Sequence, residues 1–177
     1  MHDPSAIAAR AAALLKERGE RIAVAESSAG GLISAALLAI PGASAFFTAG
    51  GVIYTARALK GLLDVSREDV AARGLRSSSE PYAAFLAETV RARHRVEWGL
   101  SETGAAGPTG NPYGDPAGHT CVAVSGPISN SRTLRTGSSD RVANMWAFTE
   151  EALTLLVSAL EAAPKVKSAP SAPPHKS

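Results

Sequence analysis

The sequence predicts an α/β protein: a three-layer α/β/α sandwich around a mixed, mostly parallel sheet. Two observations predict it. Short apolar runs that read as strands alternate with segments of helical periodicity, in the order α, β, α, β, α, α, α, β, long loop, β, β, α, and such alternation packs helices on a mostly parallel sheet. The last two strands are separated only by a turn near Gly126-Pro127, so they read as a hairpin, which makes the sheet mixed. The chain has 177 residues, 45% hydrophobic and 19% charged, which is enough for one domain with a real core.

The elements follow in order. Residues 4–19 read as a helix, with Ile7, Ala11, Leu14, Leu15 and Arg18 on one face and Gly19 as the stop. Arg21 to Ala25 is the first strand, and residues 26–31 turn into a helix from Gly31 to Ala39 that Pro41-Gly42 ends. Ser44 caps a short turn through Phe47. Thr48 to Tyr54 is a strand whose Gly50-Gly51 pair predicts a bulge or a close approach. Thr55 to Leu63 is a helix that buries Leu59, Leu62 and Leu63. Ser66 and Asp69 form a capping box for a short helix that Gly74 stops. Ser78-Ser79-Glu80-Pro81 starts the next helix, whose apolar face is Tyr82, Phe85, Leu86, Thr89 and Val90. Trp98 to Thr103 is a strand, and residues 104–118 are a glycine- and proline-rich loop. His119 to Ser125 and Thr133 to Thr136 are the last strands. Ser139-Asp140 starts the final helix, with a stripe of Val142, Trp146, Leu153, Leu156 and Leu160. The folded domain is thus expected over residues 1–163. Residues 164–177, rich in Pro, Ser, Ala and Lys, are expected to be a disordered tail.

Charge and cysteine narrow the function classes. Three of the 18 basic residues and none of the 16 acids lie in that tail, so the body carries 15 bases against 16 acids. A near-neutral body argues against a nucleic-acid surface. Cys121 is the single cysteine and sits in an apolar run, which predicts a buried inert thiol and excludes an intrachain disulfide. No membrane-length apolar run and no signal-peptide pattern is present, so a cytoplasmic protein without a membrane partner is expected. With one cysteine, and with His2, His94 and His175 lying apart, no metal constellation is present.

Two stretches carry chemistry. Ala25-Glu26-Ser27-Ser28-Ala29-Gly30-Gly31 is a strand-to-helix turn with two hydroxyls, a carboxylate and a glycine pair. A hydroxyl on a tight turn can be held out as a nucleophile, and glycines at a helix start open N–H groups to phosphate or an oxyanion. The plainer reading is that a serine caps the helix, with Glu26 bonded to N–H groups of the turn. The second stretch, 104–118, holds five glycines and three prolines in fifteen residues, too long for mere connection. Both stretches follow strands, and ligands of such sheets sit at the strands' carboxyl ends, so both are expected to face one crevice.

The spacing of Ala25-Glu26-Ser27-Ser28-Ala29-Gly30-Gly31, Gly50-Gly51-Val52-Ile53-Tyr54, Gly104-Ala105-Ala106-Gly107-Pro108 and Gly137-Ser138-Ser139-Asp140-Arg141 resembles the CinA C-terminal family, over about residues 5–160. Its members typically show A-E-S-C-T-G-G, G-x-V-x-Y-S-N-E-A-K, G-I-A-G-P and a late G-D-R. The resemblance implies a three-layer α/β/α domain with a mixed sheet. It also implies hydrolysis of the carboxamide of nicotinamide mononucleotide to the acid and ammonia, with no metal or other cofactor. Ser27 matches the family nucleophile, Tyr54 its tyrosine and Arg141 its late arginine.

The departures are specific. Ser28 stands for the usual Cys and Ala29 for the usual Thr. The family lysine falls on Leu59, with Lys60 one place late, and one place on a helix is about 100° of rotation. The lysine of K-P-V-G-T becomes Asp115. A serine needs a base, and a buried lysine of lowered pKa can be one, so Lys60 is the candidate, with a surface lysine as the plainer reading. Tyr54 is placed to relay a proton, to orient the ligand or simply to pack. His119 is the reserve base, against a satisfied strand histidine. The amides of Gly30 and Gly31, the loop amides around Gly104, Gly107 and Gly110, and Arg141 are the candidates for phosphate. Ser28 is grouped with this binding set. The function expected first is an amidohydrolase acting through Ser27; the alternative is a non-catalytic nucleotide-binding or interaction protein that has lost the lysine. Either way the expected partner is a small nucleotide, and a homo-oligomer is left open.

Overall fold

The computed structural model describes residues 3–164. The expectation of a disordered tail lies, from residue 165 onward, outside the described residues.

Five strands form one mixed sheet in the order β2-β1-β3-β4-β5: β1 is Ile22–Glu26, β2 Phe47–Val52, β3 Trp98–Ala105, β4 His119–Ser125 and β5 Asn130–Arg135. β1 pairs in parallel with β2 and β3, whereas β4 runs antiparallel to β3 and β5. Four strands therefore point one way and β4 alone points back. The helices are α1 Ser5–Arg18, α2 Leu32–Leu38, α3 Ala56–Leu63, α4 Arg67–Ala72, α5 Glu80–His94 and α6 Arg141–Ala162, with a 3-10 turn at Ala43–Ala45.

Alternation along the strands separates two cores. Ile22, Val24, Trp98, Leu100, Val122 and Val124 face α1, α2 and α6, together with Ile33, Leu37, Phe46, Phe148 and Leu156. Ala23 and Ala25 face the other way, toward Leu59, Leu63, Tyr82, Leu86 and Val90 of α3 and α5. Small residues bring α5 close to the central strands: Ala83 and Ala87 lie against Cys121 and Ala123, and the Ser101 hydroxyl donates to Ala83 O. A buried ion pair closes the far end, where Arg18 meets Glu20 at 2.6 Å and the Trp98 indole N–H donates to the same carboxylate.

Local signals hold at the helix ends. Gly19 and Gly74 follow α1 and α4 in the left-handed region, at φ 64° and 65°. Ser66 and Asp69 form the capping box of α4, and Ser79 caps α5 ahead of Pro81. Three expectations shift. β3 runs on to Ala105, so Gly104 belongs to the strand. β5 starts at Asn130; it is an edge strand defined by pairing to β4, and its half-exposed residues give it no apolar signature. Leu62 and Val142 are exposed rather than buried, because α3 turns Leu59 and Leu63 inward and α6 buries the stripe Phe148, Ala152, Leu156.

Candidate functional site

Two buried glutamates shape the turn after β1. Glu26 ends the strand on the α2 side and accepts from the backbone N–H of Gly31, Ile33 and Ser34, and from the Ser34 hydroxyl. It therefore supplies the cap of α2, and neither Ser27 nor Ser28 does; a carboxylate at a helix N-terminus satisfies several orphan donors at once. Glu102, on β3, holds the turn from beneath. One oxygen accepts from Ser27 N at 3.0 Å and Ala29 N at 2.8 Å. The other accepts from the Thr120 hydroxyl at 2.8 Å and from the Ser28 hydroxyl in a short contact. Burial pushes the Glu102 carboxyl above the ordinary range, against the pull of these four bonds.

With its amide tied down, Ser27 is half-buried, and its hydroxyl has no hydrogen bond among the described residues. It borders a cleft of about 760 Å³ at the carboxyl ends of β1 and β3, on the α3–α5 side of the sheet. The opposite wall is Asn111, Pro112 and Tyr113, so the turn and the glycine loop do share one crevice. Tyr54, Leu59, Arg67, Val70, Arg76, Tyr82, Thr103 and Gly104 complete the main lining. The volume falls within the usual range for small-molecule sites.

The proposed base stands elsewhere. Lys60 has a side chain 59% exposed, and its amine sits 2.5 Å from Asp64 Oδ1. That carboxylate raises the lysine pKa, the wrong direction for a general base, and Lys60 is not part of the lining. Leu59, one residue earlier, is 3% exposed and faces the cleft. The 100° between neighbours on a helix is the physical reason for this correction.

Other candidates are also accounted for. Gly30 N donates to Ser27 O and Gly31 N to Glu26, so those amides are spent inside the turn and are not offered to a phosphate. Ser28 is buried with its hydroxyl on Glu102, which makes it part of the support of the turn. Arg141 lies outside the lining: it donates to Gly107 O at 2.7 Å and to the Tyr54 hydroxyl at 3.2 Å, tying α6 to the loop and to β2's end. Gly107 and Gly110 are likewise away from the lining. A Cβ on Gly110 would overlap Asp115 O, so this glycine serves the fold of the loop. Gly104 does border the cleft, and its lack of a side chain lets β4 pass close at His119 O.

His119 is buried, with Nε2 2.9 Å from Ser78 O, and is absent from the cleft wall. Cys121 is buried beside it, and burial pushes its thiol pKa up. Among the described residues no group of His, Cys, Asp and Glu is arranged to hold a metal, and no helix is long and apolar enough to cross a membrane. The residue that sequence reasoning missed is Glu102. Its signal was a lone acid in an otherwise uncharged strand, two residues before the glycine loop.

Comparison with known proteins follows the same outline. The family model of the CinA C-terminal domain matches residues 4–160. A CinA-like protein of Anaeromyxobacter sp. (strain K) is 42% identical over 159 residues, which are 89% of this chain and 37% of that protein. A CinA-like protein of Gloeobacter violaceus is 39% identical over 125 residues, 71% of this chain and 29% of that protein. The match thus spans between 29% and 37% of the length of these curated relatives. Among solved structures, a competence-damaged protein (CinA) superfamily protein from Klebsiella pneumoniae superposes with a TM-score of 0.81 at 26% identity, covering 90% of this chain and 98% of the other. A competence/damage inducible protein from Agrobacterium tumefaciens gives 0.79 at 30% identity, covering 89% and 94%. With the match running through the serine turn, the glycine loop and α6, this chain belongs to the CinA C-terminal domain family.

Proposed function

We propose that the cleft binds a small nucleotide amide of the nicotinamide mononucleotide type, with the carboxamide over Ser27, and that the hydrolytic base of the family has been replaced by Leu59. The observation that carries this reading is the register of α3: Leu59 faces the cleft, while the Lys60 amine rests on Asp64 outside it. A serine hydroxyl attacks an amide only when a base takes its proton. The ionisable side chains that line the cleft are Tyr54, Tyr82, Tyr113, Arg67 and Arg76. Burial raises the Tyr82 pKa further, and neither a neutral phenol nor a guanidinium is a base at neutral pH. The same lining suits a ligand: tyrosine rings give flat contact with a heteroaromatic base, and the arginines favour an anion.

A second reading is supported by Ser27 itself. Its amide is held by Glu102, and its hydroxyl, with no hydrogen bond among the described residues, is open to a ligand at the edge of the cleft. Here Ser27 attacks the carboxamide carbon, ammonia leaves, and water releases the nicotinate mononucleotide from the acyl-enzyme. The hydroxyl proton then passes through water to the leaving nitrogen, which departs as ammonia.

Calorimetry and ammonia release, run together, separate the two. Nicotinamide mononucleotide is expected to bind the wild type and Ser27→Ala with similar affinity, with little or no ammonia from either. Lys60→Ala should change neither measurement. Leu59→Lys restores the family register and is expected to raise ammonia release, by a factor on the order of 10² if the lysine acts as a general base. Steady ammonia release by the wild type that Ser27→Ala abolishes would replace binding with hydrolysis as the function.

A further inference from the structure

The structure assigns Arg67 as the phosphate-recognising group of the cleft. The assignment builds on the nucleotide reading above only for the identity of the ligand. Of the groups first expected to take the phosphate, the Gly30 and Gly31 amides and Arg141 are committed elsewhere, and Gly107 and Gly110 lie outside the lining. The Gly30 and Gly31 amides close the serine turn. Arg141 is not itself a lining residue, and its guanidinium is bonded to Gly107 O and to the hydroxyl of the lining residue Tyr54.

Two lining residues carry a formal charge at neutral pH, Arg67 and Arg76, and no carboxylate joins them. Arg76 is neutralised: its guanidinium meets Asp115 at 2.6 and 3.3 Å and lies over the Tyr113 ring. Arg67 has no ion pair or hydrogen bond among the described residues, so the cleft holds one uncompensated positive charge. The acids next to it on α4 do not answer it. Glu68 follows directly, and adjacent residues on a helix point apart. Asp69 is engaged in the capping box with Ser66.

The orientation of Arg67 follows from helix spacing. Arg67, Val70 and Ala71 stand at i, i+3 and i+4, and all three border the cleft, so they form one face of α4 turned to it. A guanidinium offers two parallel N–H groups to two phosphate oxygens. The ligand class is therefore a phosphomonoester on a flat ring-bearing body, its phosphate at α4 and its other end toward Ser27.

The experiment uses the full chain, with Arg67→Gln and Arg141→Gln as variants. Nicotinamide mononucleotide and its unphosphorylated riboside are titrated calorimetrically, and inorganic phosphate is followed through the Arg67 side-chain N–H signal by nuclear magnetic resonance. Arg67→Gln is expected to weaken the mononucleotide at least tenfold and to leave the riboside unchanged. Arg141→Gln should weaken the two nucleotides by the same factor. Phosphate alone should move the Arg67 signal. An Arg67→Gln protein that binds the mononucleotide like the wild type overturns the assignment and leaves the nucleotide reading standing. So does a phosphate titration that moves Arg141 and not Arg67. If phosphate moves Arg67 while neither nucleotide binds, the nucleotide reading falls and the anion subsite stands. If nothing binds, both fall.

Discussion

Glu102 shows how much one side chain decides here. It is completely buried and accepts four hydrogen bonds, two from backbone N–H groups of the serine turn. Removing an acceptor strands the donors it served, which costs more than the bonds contributed. Glu102→Ala should destabilise the fold by on the order of 3 kcal/mol, from two unpaired amides and the space left behind. Glu102→Gln should cost less than about 1 kcal/mol, because one oxygen still serves both amides and the new NH2 can donate to the hydroxyls of Ser28 and Thr120. Urea denaturation measures both. The pH dependence has a definite sign. Burial raises the Glu102 pKa, so between the unfolded and folded values the native chain keeps a proton that the unfolded chain has released. The stability contributed at Glu102 therefore falls as pH rises through that window. The unfolding midpoint of the wild type should drop across it relative to Glu102→Gln, which lacks the slope.

Among the elements, what could be read from the sequence was what short-range physics controls. Gly19 and Gly74 were legible as stops because only a residue without Cβ enters the left-handed region cheaply, and the Ser66–Asp69 box because both bonds are local. The serine turn and the glycine loop were legible as one crevice because both follow strands of one sheet. The register of α3 was stated as a departure, and only packing showed which of two neighbours faces inward: Leu59, since Leu63 one turn later joins it against α5. Glu102 was illegible for a different reason. Its partners, Ser27 and Ala29 of the serine turn and Thr120 of β4, come from two distant places in the chain and meet Glu102 only when β1, β3 and β4 assemble. Close packing of α5 was also hidden. A Cβ on Gly99 would overlap the Ala87 carbonyl oxygen, which cannot move aside without lifting the helix. Gly99→Ala should thus cost about 1–3 kcal/mol as an overpacked site, seen as a lower urea midpoint, despite alanine's better strand and helix propensity.

At the scale of the whole molecule, two walls rise on either side of the strand ends that carry Ser27, Thr103 and Gly104. One wall is the chain from Tyr54 through α4; the other is the loop carrying Asn111, Pro112 and Tyr113. Asp115 is the link. It accepts from Arg76, which enters α5, and from the Asn111 amide, while Asn111 N donates to Asp115 O. The pair with Arg76 is partly exposed, so it contributes about 1 kcal/mol or less to global stability, and its effect is on the shape of the wall. Asp115→Ala should accordingly leave the unfolding midpoint near that of the wild type while loosening residues 106–118. Faster amide exchange and faster proteolytic cleavage, both confined to the loop, are the expected readouts. The Arg76 hydrogen bond holds the Asp115 pKa below the usual aspartate range. A depressed carboxylate contributes fully above its unfolded value and loses that contribution as pH falls through its folded value. Loop protection in the wild type should then be constant from neutrality down to the ordinary aspartate range and collapse only below it, with Asp115→Ala showing the loosened loop at every pH. Equal loop protection in the two proteins at neutral pH would show that the glycine and proline framework alone holds the wall of the cleft.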